Sequence, residues 1–168
     1  MTETLAITSP WTGETALSLP LDDDSAMDAK VRQARATMEG WRRTGLDERI
    51  ALLERFIEIV LQDQEEIAHA ISSQMGKPLQ EGRNEVGGMV SRARMMLELA
   101  PEALADRVVQ RGDGIARAIL RPPLGVVLDI AAWNYPLLIV INVVAPAVLA
   151  GNAVLIKHAS QTAGIGRW

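Results

Sequence analysis

From Pro122 to Ile156 the chain is almost entirely apolar, and this run limits the possible folds more than any other feature. It is broken by Asp129, Asn134, Asn142, Pro146 and Asn152, with Gly125 and Gly151 as further interruptions. A membrane-spanning helix needs about 20 predominantly apolar residues, and polar side chains within it are costly. The run therefore reads as protein core rather than as a membrane hairpin over Leu124 to Ile156. Gly125-Val126-Val127-Leu128-Asp129-Ile130 is short, rich in β-branched residues and bounded by turn formers, which fits a buried parallel strand. Pro136 suits the first turn of a helix. Leu138 to Ala150 supplies that helix and Gly151 ends it. Ala153-Val154-Leu155-Ile156-Lys157 is a second strand. Strand, helix and strand make one crossover unit, so the fold class is α/β.

The stretch from Asp22 to Arg121 is charged, and up to residue 111 it is helical in pattern. Asp22-Asp23-Asp24-Ser25 precedes a helix, with Ser25 and Asp28 as a capping-box-like pair. Met27, Val31, Ala34, Met38 and Trp41 fall on one face of it. Asp47 is placed to cap a second helix with Ile50, Leu53, Phe56, Ile57 and Val60 inward. Asp63 is placed to cap a third carrying Ile67, Ala68 and Ile71, which Gly76 and Pro78 end. A long fourth helix presents Val86, Met89, Val90, Ala93, Met96 and Leu97, and Pro101 is expected to break or restart it. Upstream, Ser9-Pro10-Trp11-Thr12-Gly13-Glu14 has the chemistry of a turn between short strands. Gly112-Asp113-Gly114 is a second turn, after which Ile115 to Leu120 reads as an exposed edge strand.

Composition removes several function classes. A chain of 168 residues with 48% hydrophobic and 23% charged residues is long and apolar enough for a real core. A net charge of −4 argues against nucleic acid, whose phosphates need a basic surface. The absence of cysteine excludes disulfides and thiol catalysis by this chain and removes the best zinc ligands. The two histidines, His69 and His158, are too few for a His-based metal site, so no metal is expected. The acidic start, Met1-Thr2-Glu3-Thr4, lacks an apolar signal region, and a cytoplasmic protein is the expectation.

In open α/β sheets, ligands bind beyond the carboxyl ends of the strands. Trp133 and Asn134 follow the first strand and Lys157 closes the second, which puts Asn134 and Lys157 on the same rim. No G-x-G-x-x-G follows the first strand, so a dinucleotide bound there is not held by the usual glycine-rich turn. Taken singly, these residues have common structural uses: Asn134 as a helix cap and Lys157 as a solvated strand-end charge.

Their order carries more. Leu124-Gly125-Val126-Val127, Trp133-Asn134-Tyr135-Pro136, Pro146-Ala147, Ala150-Gly151-Asn152-Ala153-Val154 and Lys157 resemble the aldehyde dehydrogenase superfamily pattern. Met75-Gly76-Lys77-Pro78 followed by Glu85-Val86 is similar to that family's earlier helical segment, and Pro10, Thr12 and Gly13 to its N-terminal hairpin. The resemblance implies oxidation of an aldehyde to an acid with NAD or NADP, through a cysteine thiohemiacetal and a glutamate-activated water. It implies that Asn134 donates to the developing oxyanion, that Lys157 hydrogen-bonds the adenosine ribose, and that Ile130, Ala131, Ala132 and Trp133 line the cofactor cleft. It also implies a small-molecule aldehyde substrate and a homo-oligomer built partly through the strand at Ile115 to Leu120.

Two departures matter. Ala132 stands where a proline often precedes the Trp-Asn pair. His158-Ala159-Ser160 stands where the family commonly has Pro-Ser-Glu. The glutamate would grip both ribose hydroxyls and repel a 2′-phosphate; Ser160 removes the repulsion and can donate a hydrogen bond, so NADP is expected to be tolerated. The whole reads as the N-terminal portion of such an enzyme. It comprises a hairpin segment (1–21), the helical part of a Rossmann-like cofactor-binding domain (22–111), an oligomerisation-type strand segment (112–123) and the first β-α-β of that domain (124–168). On this reading the chain is expected to be truncated before the catalytic domain and inactive alone. A non-catalytic interaction module derived from the same family is the alternative.

Overall fold

The computed structural model describes residues 3–112 and 114–168; Met1, Thr2 and the central Asp113 of the expected second turn lie outside the described residues. The chain opens with an antiparallel hairpin, β1 (Thr4–Thr8) and β2 (Thr15–Pro20), closed through Gly13 at φ 72°. Four helices follow: α1 (Asp24–Trp41), α2 (Leu46–Gln62), α3 (Gln64–Met75) and α4 (Leu79–Leu104). A second antiparallel hairpin, β3 (Arg107–Gly112) and β4 (Ile115–Ile119), leads to the parallel unit β5 (Val126–Ile130), α5 (Leu138–Leu149) and β6 (Ala153–Lys157). A short 3-10 segment, Ser160–Arg167, ends the chain.

The core lies among α2, α3, α4 and α5. Leu53, Ile57 and Val60 of α2 meet Ile67 and Ile71 of α3, Val86, Met89, Val90 and Ala93 of α4, and Ile141, Ala145 and Leu149 of α5. Those of α2, α3 and α4 are the inward positions that helical periodicity marks. The α1 face behaves differently: Val31, Ala34, Met38 and Trp41 are only half-buried and Met27 is exposed, because α1 lies against the thin β5–β6 sheet rather than inside the helical layer.

Several expected details are corrected. The cap of α1 is Asp23, whose side chain accepts from the Ala26 N–H at 2.8 Å, because the helix starts one residue before Ser25. Asp47 lies within the first turn of α2, whose N-cap is Gly45. Asp63 does precede α3, but it joins two abutting helices at φ −95°, ψ 12°, outside the extended geometry that side-chain capping uses. Pro101 neither breaks nor restarts α4. It sits in the last turn, where only the bond to the Leu97 carbonyl is lost, and Leu97, Ala100 and Leu104 hold that turn on the core. The exposed strand is Ile115–Ile119, and its partner β3 begins at Arg107, in a stretch read as the end of the helical part.

The membrane hairpin is excluded for the apolar run by its fold. α5 has 12 residues, about 18 Å at 1.5 Å per residue, against a hydrocarbon core of about 30 Å. Among the described residues no helix is long and apolar enough to cross a membrane.

Gly82 sets the approach of α3 and α4. A Cβ there would stand 2.9 Å from the Ala68 carbonyl oxygen and 3.2 Å from its Cα, both backbone atoms that cannot rotate away. Alanine gains about 1 kcal/mol of helix propensity over glycine, whereas forcing two packed helices apart costs about 1–3 kcal/mol. The Gly82→Ala chain is therefore expected to unfold at a lower urea concentration than the parent. An equal or higher midpoint would show that the helices separate freely.

Candidate functional site

The carboxyl ends of the two parallel strands lie side by side. Ile130 is the register partner of Lys157, and the Ala131 N–H donates to the Lys157 carbonyl at 3.0 Å, one residue past the ladder. Ile130 (69% exposed), Trp133 and Lys157 face solvent, Ala132 and Asn134 are exposed beside them, and Ala131 alone is buried. Ser160 is exposed at the start of the 3-10 segment, three residues after Lys157. Ile130, Ala131 and Lys157 are thus brought together directly, while Asn134 stands on the loop that carries the chain from β5 to α5. This rim is open. It offers apolar surface from Ile130 and Trp133 beside a cation and a hydroxyl, a combination able to take a flat base and a ribose.

The helix behind the rim, α5, is made almost wholly of Leu, Ile, Val and Ala and cannot cap its own ends. Its first amide N–H groups and last carbonyls need partners from elsewhere. At the C-terminus the accounting closes. The Pro146 carbonyl takes the Ala150 N–H, that of Ala147 takes both the N–H and the side-chain amide of Asn152, and that of Val148 takes the Gly151 N–H and the Trp41 indole N–H. The Leu149 carbonyl takes Arg49 Nη1 at 2.9 Å. The Asn152 Oδ1 also accepts from the Gly125 N–H at 2.9 Å, tying the end of α5 to the start of β5. Gly151, read from sequence as a helix stop, does turn the chain at φ 84°. Its missing side chain also makes room for Arg49, because a Cβ there would lie 2.8 Å from the guanidinium carbon.

At the N-terminus the cap comes from α4. Glu85 is fully buried at its side chain, and its Oε1 accepts from the Leu137 N–H at 2.9 Å. Its Oε2 meets Lys77 Nζ at 2.5 Å, and the same ammonium donates to the Asn134 carbonyl at 3.0 Å. Lys77 Nζ also lies 3.8 Å from the centre of the Tyr135 ring. Sequence reasoning used Lys77 and Glu85 only for their resemblance and missed this network. A signal existed: Glu85 falls on the inward stripe with Gly82, Val86 and Met89, where a lone carboxylate needs a partner.

Two further polar groups lie at the ends of these strands, Asp129 buried and His158 half-buried. Asp129 (5% exposed) keeps Oδ2 without a hydrogen-bond partner among the described residues, and so does Nδ1 of His158. Burial pushes the Asp129 carboxyl above its ordinary range, with the nearby His158 opposing, and burial pushes His158 below its ordinary value, with Asp129 opposing. Each group therefore favours its neutral form in the fold. The depressed His158 contributes stability above about pH 6.5, and that contribution is lost as pH falls toward its folded value. The raised Asp129 works in the other direction, favouring the fold below its unfolded value near 3.9 and losing that contribution as pH rises through its folded one. The His158→Gln chain is expected to lose less thermal stability than the parent between pH 7 and pH 5. Identical slopes would remove His158 from the account.

Comparison with known proteins places this architecture. The chain is 35% identical over 91% of its length to a succinate-semialdehyde dehydrogenase [NADP(+)] of Deinococcus radiodurans, covering 32% of that protein. It is 31% identical over 95% of its length to a 3-sulfolactaldehyde dehydrogenase of Pseudomonas putida, covering 33% of it. A succinic semialdehyde dehydrogenase of Streptococcus pyogenes, solved in complex with NADP+, superposes with a TM-score of 0.89 at 26% identity over 97% of this chain and 36% of that one. The chain thus spans about a third of the length of the curated relatives it matches. The family model of the aldehyde dehydrogenase family matches residues 1–167, and the chain belongs to that family.

Proposed function

We propose that this chain is the N-terminal part of an NAD(P)-dependent aldehyde dehydrogenase, supplying one wall of the cofactor cleft and the oxyanion donor. The observation that carries this reading is the rim itself. The parallel pairing sets Ile130 beside Lys157 and leaves the Trp133-Asn134 loop projecting at the same end of the sheet. Asn134 presents a neutral amide from a backbone anchored at its own carbonyl, which suits a donor aimed at charge that develops on a reacting oxygen. Lys157 and Ser160 are the groups available to a ribose. Ile130, Ala131, Ala132 and Trp133 supply the surface beside it. The cofactor, when bound, accepts the hydride. The chain holds no cysteine, so the thiol nucleophile belongs to the part of the relatives' length that it does not span. The segment division at residues 21 and 123 belongs to the same reading, with the boundary read at 111 moved back to the start of β3 at Arg107 and with 124–168 as the first β-α-β of a Rossmann-like domain. So does assembly of like subunits through the β3–β4 hairpin, which exposes Val108, Val109, Ile115 and Ile119.

The test is a graft. Residues 1–168 replace the matching third of the Deinococcus radiodurans relative, and the hybrid is assayed with succinate semialdehyde and each cofactor. Reduction of NADP supports the reading; a folded hybrid that binds neither cofactor overturns it. Within the hybrid, Ser160→Glu restores the carboxylate that repels a 2′-phosphate. It is expected to move the ratio of kcat/KM for NADP over NAD at least about tenfold toward NAD, the scale of one lost charge-assisted contact. An unchanged ratio would separate Ser160 from cofactor choice.

A further inference from the structure

We infer that the buried Lys77–Glu85 ion pair is the positioning device of the site: it grips the Asn134–Leu137 turn from both ends and so sets the direction of the Asn134 amide. The inference rests on Asn134 being the oxyanion donor. The contacts divide by function. Lys77, on the connection between α3 and α4, holds the Asn134 carbonyl at 3.0 Å; Glu85, two turns into α4, holds the Leu137 N–H at 2.9 Å. The two grips share one bond, Nζ to Oε2 at 2.5 Å, and side-chain exposures of 11% and 0% keep water from competing for it. The Lys77 ammonium also lies over the Tyr135 ring, 3.8 Å from its centre.

Nothing nearer in sequence can do this. The N-cap position of α5 is Leu137, in right-handed helical conformation and without a side-chain cap, and the residues that follow are apolar. Lys77 fixes Asn134 by its backbone carbonyl, and the residue itself is exposed beside the rim. Breaking a buried pair by removing one member leaves the other charge uncompensated, so the turn should loosen even where the remainder of the chain stays folded.

The test is hydrogen exchange on the full 168-residue chain, comparing the parent with Lys77→Met, Lys77→Arg and Glu85→Gln. Peptides covering residues 132–139 are expected to exchange at least about tenfold faster in Lys77→Met, with peptides from α2 and α3 unchanged. Glu85→Gln keeps the volume and one acceptor for the Leu137 N–H while removing the charge that holds Lys77. It gives the same local effect at smaller size and serves if Lys77→Met does not fold. Lys77→Arg restores part of the protection. A merely structural role would raise exchange across α4 and α5 together. The chain has a single tyrosine, so a ring-labelled sample reports Tyr135 alone, and its ring signals should shift in Lys77→Met. Unchanged exchange at 132–139 in a folded variant overturns the inference. The catalytic reading is tested apart from it: if Asn134→Ala leaves the grafted enzyme's kcat intact while exchange at 132–139 responds as stated, the clamp stands and the role of Asn134 falls.

Discussion

Replacing Arg49 with alanine should lower the stability of the folded chain by about 3 kcal/mol or more, read as a fall in the urea midpoint with an unchanged slope. The size follows from what the guanidinium holds. Its Nη1 donates to the Leu149 carbonyl at the end of α5, its Nη2 to the Trp41 and Arg42 carbonyls at the end of α1, and its Nε to the Thr44 hydroxyl. One cation therefore serves the negative ends of two helix dipoles and joins the helix behind the rim to the first helix of the chain. Truncation leaves the Leu149 and Arg42 carbonyls short of a donor, each costing about 1–3 kcal/mol where water cannot replace it, while the Trp41 carbonyl keeps the Thr44 N–H and hydroxyl. Arg49→Lys keeps the charge but loses the planar fork that reaches several acceptors at once. It should recover less than half of the loss. If both variants matched the parent, water would be reaching these carbonyls and the clamp would be ornamental.

Arg49 and Glu85 also show where the sequence could be read and where it could not. Strand β6 stands at the residues its composition marks, β5 within one residue of them, and α5 runs between them as expected, since short apolar runs bounded by glycine leave few alternatives. The inward faces of α2, α3 and α4 follow the three-four spacing of Leu53, Ile57, Val60, Ile67, Ile71, Val86, Met89 and Ala93. The rim was legible too, because parallel pairing fixes which ends of the strands meet. The groups that hold the rim were not, since their partners lie far along the chain: Arg49 is 100 residues from Leu149, Lys77 is 57 from Asn134, and Glu85 is 52 from Leu137. Periodicity carries no information about such pairs. It does flag their positions. Arg49 stands one turn before Leu53, and Glu85 one turn before Met89, on the faces that go inside. A charged residue on a buried stripe must find a partner, and here each finds an end of the same apolar helix.

In the grafted enzyme, Asn134→Ala should cut kcat by about 10²–10³, the loss of about 2.7–4 kcal/mol that follows removal of one preorganised oxyanion donor. The KM for the aldehyde should change little, because the donor acts on charge that is absent from the ground state. Two controls sharpen the reading. Asn134→Asp keeps the shape but presents only acceptors when ionised. It places a negative charge where negative charge must develop, so it should be at least as damaging as alanine. Asn134→Gln keeps the amide but carries it farther from the clamped backbone, and should recover only a small part of the rate. The order Asn, Gln, Ala, Asp in falling kcat is specific to a positioned donor. Were Asn134 only a local structural residue, the same substitutions would track thermal stability instead, with Asp near the helix start among the better tolerated, since a carboxylate favours that end of a helix dipole. A kcat within about threefold of the parent in a folded Asn134→Ala hybrid would leave the rim as a binding surface and put the oxyanion donor elsewhere.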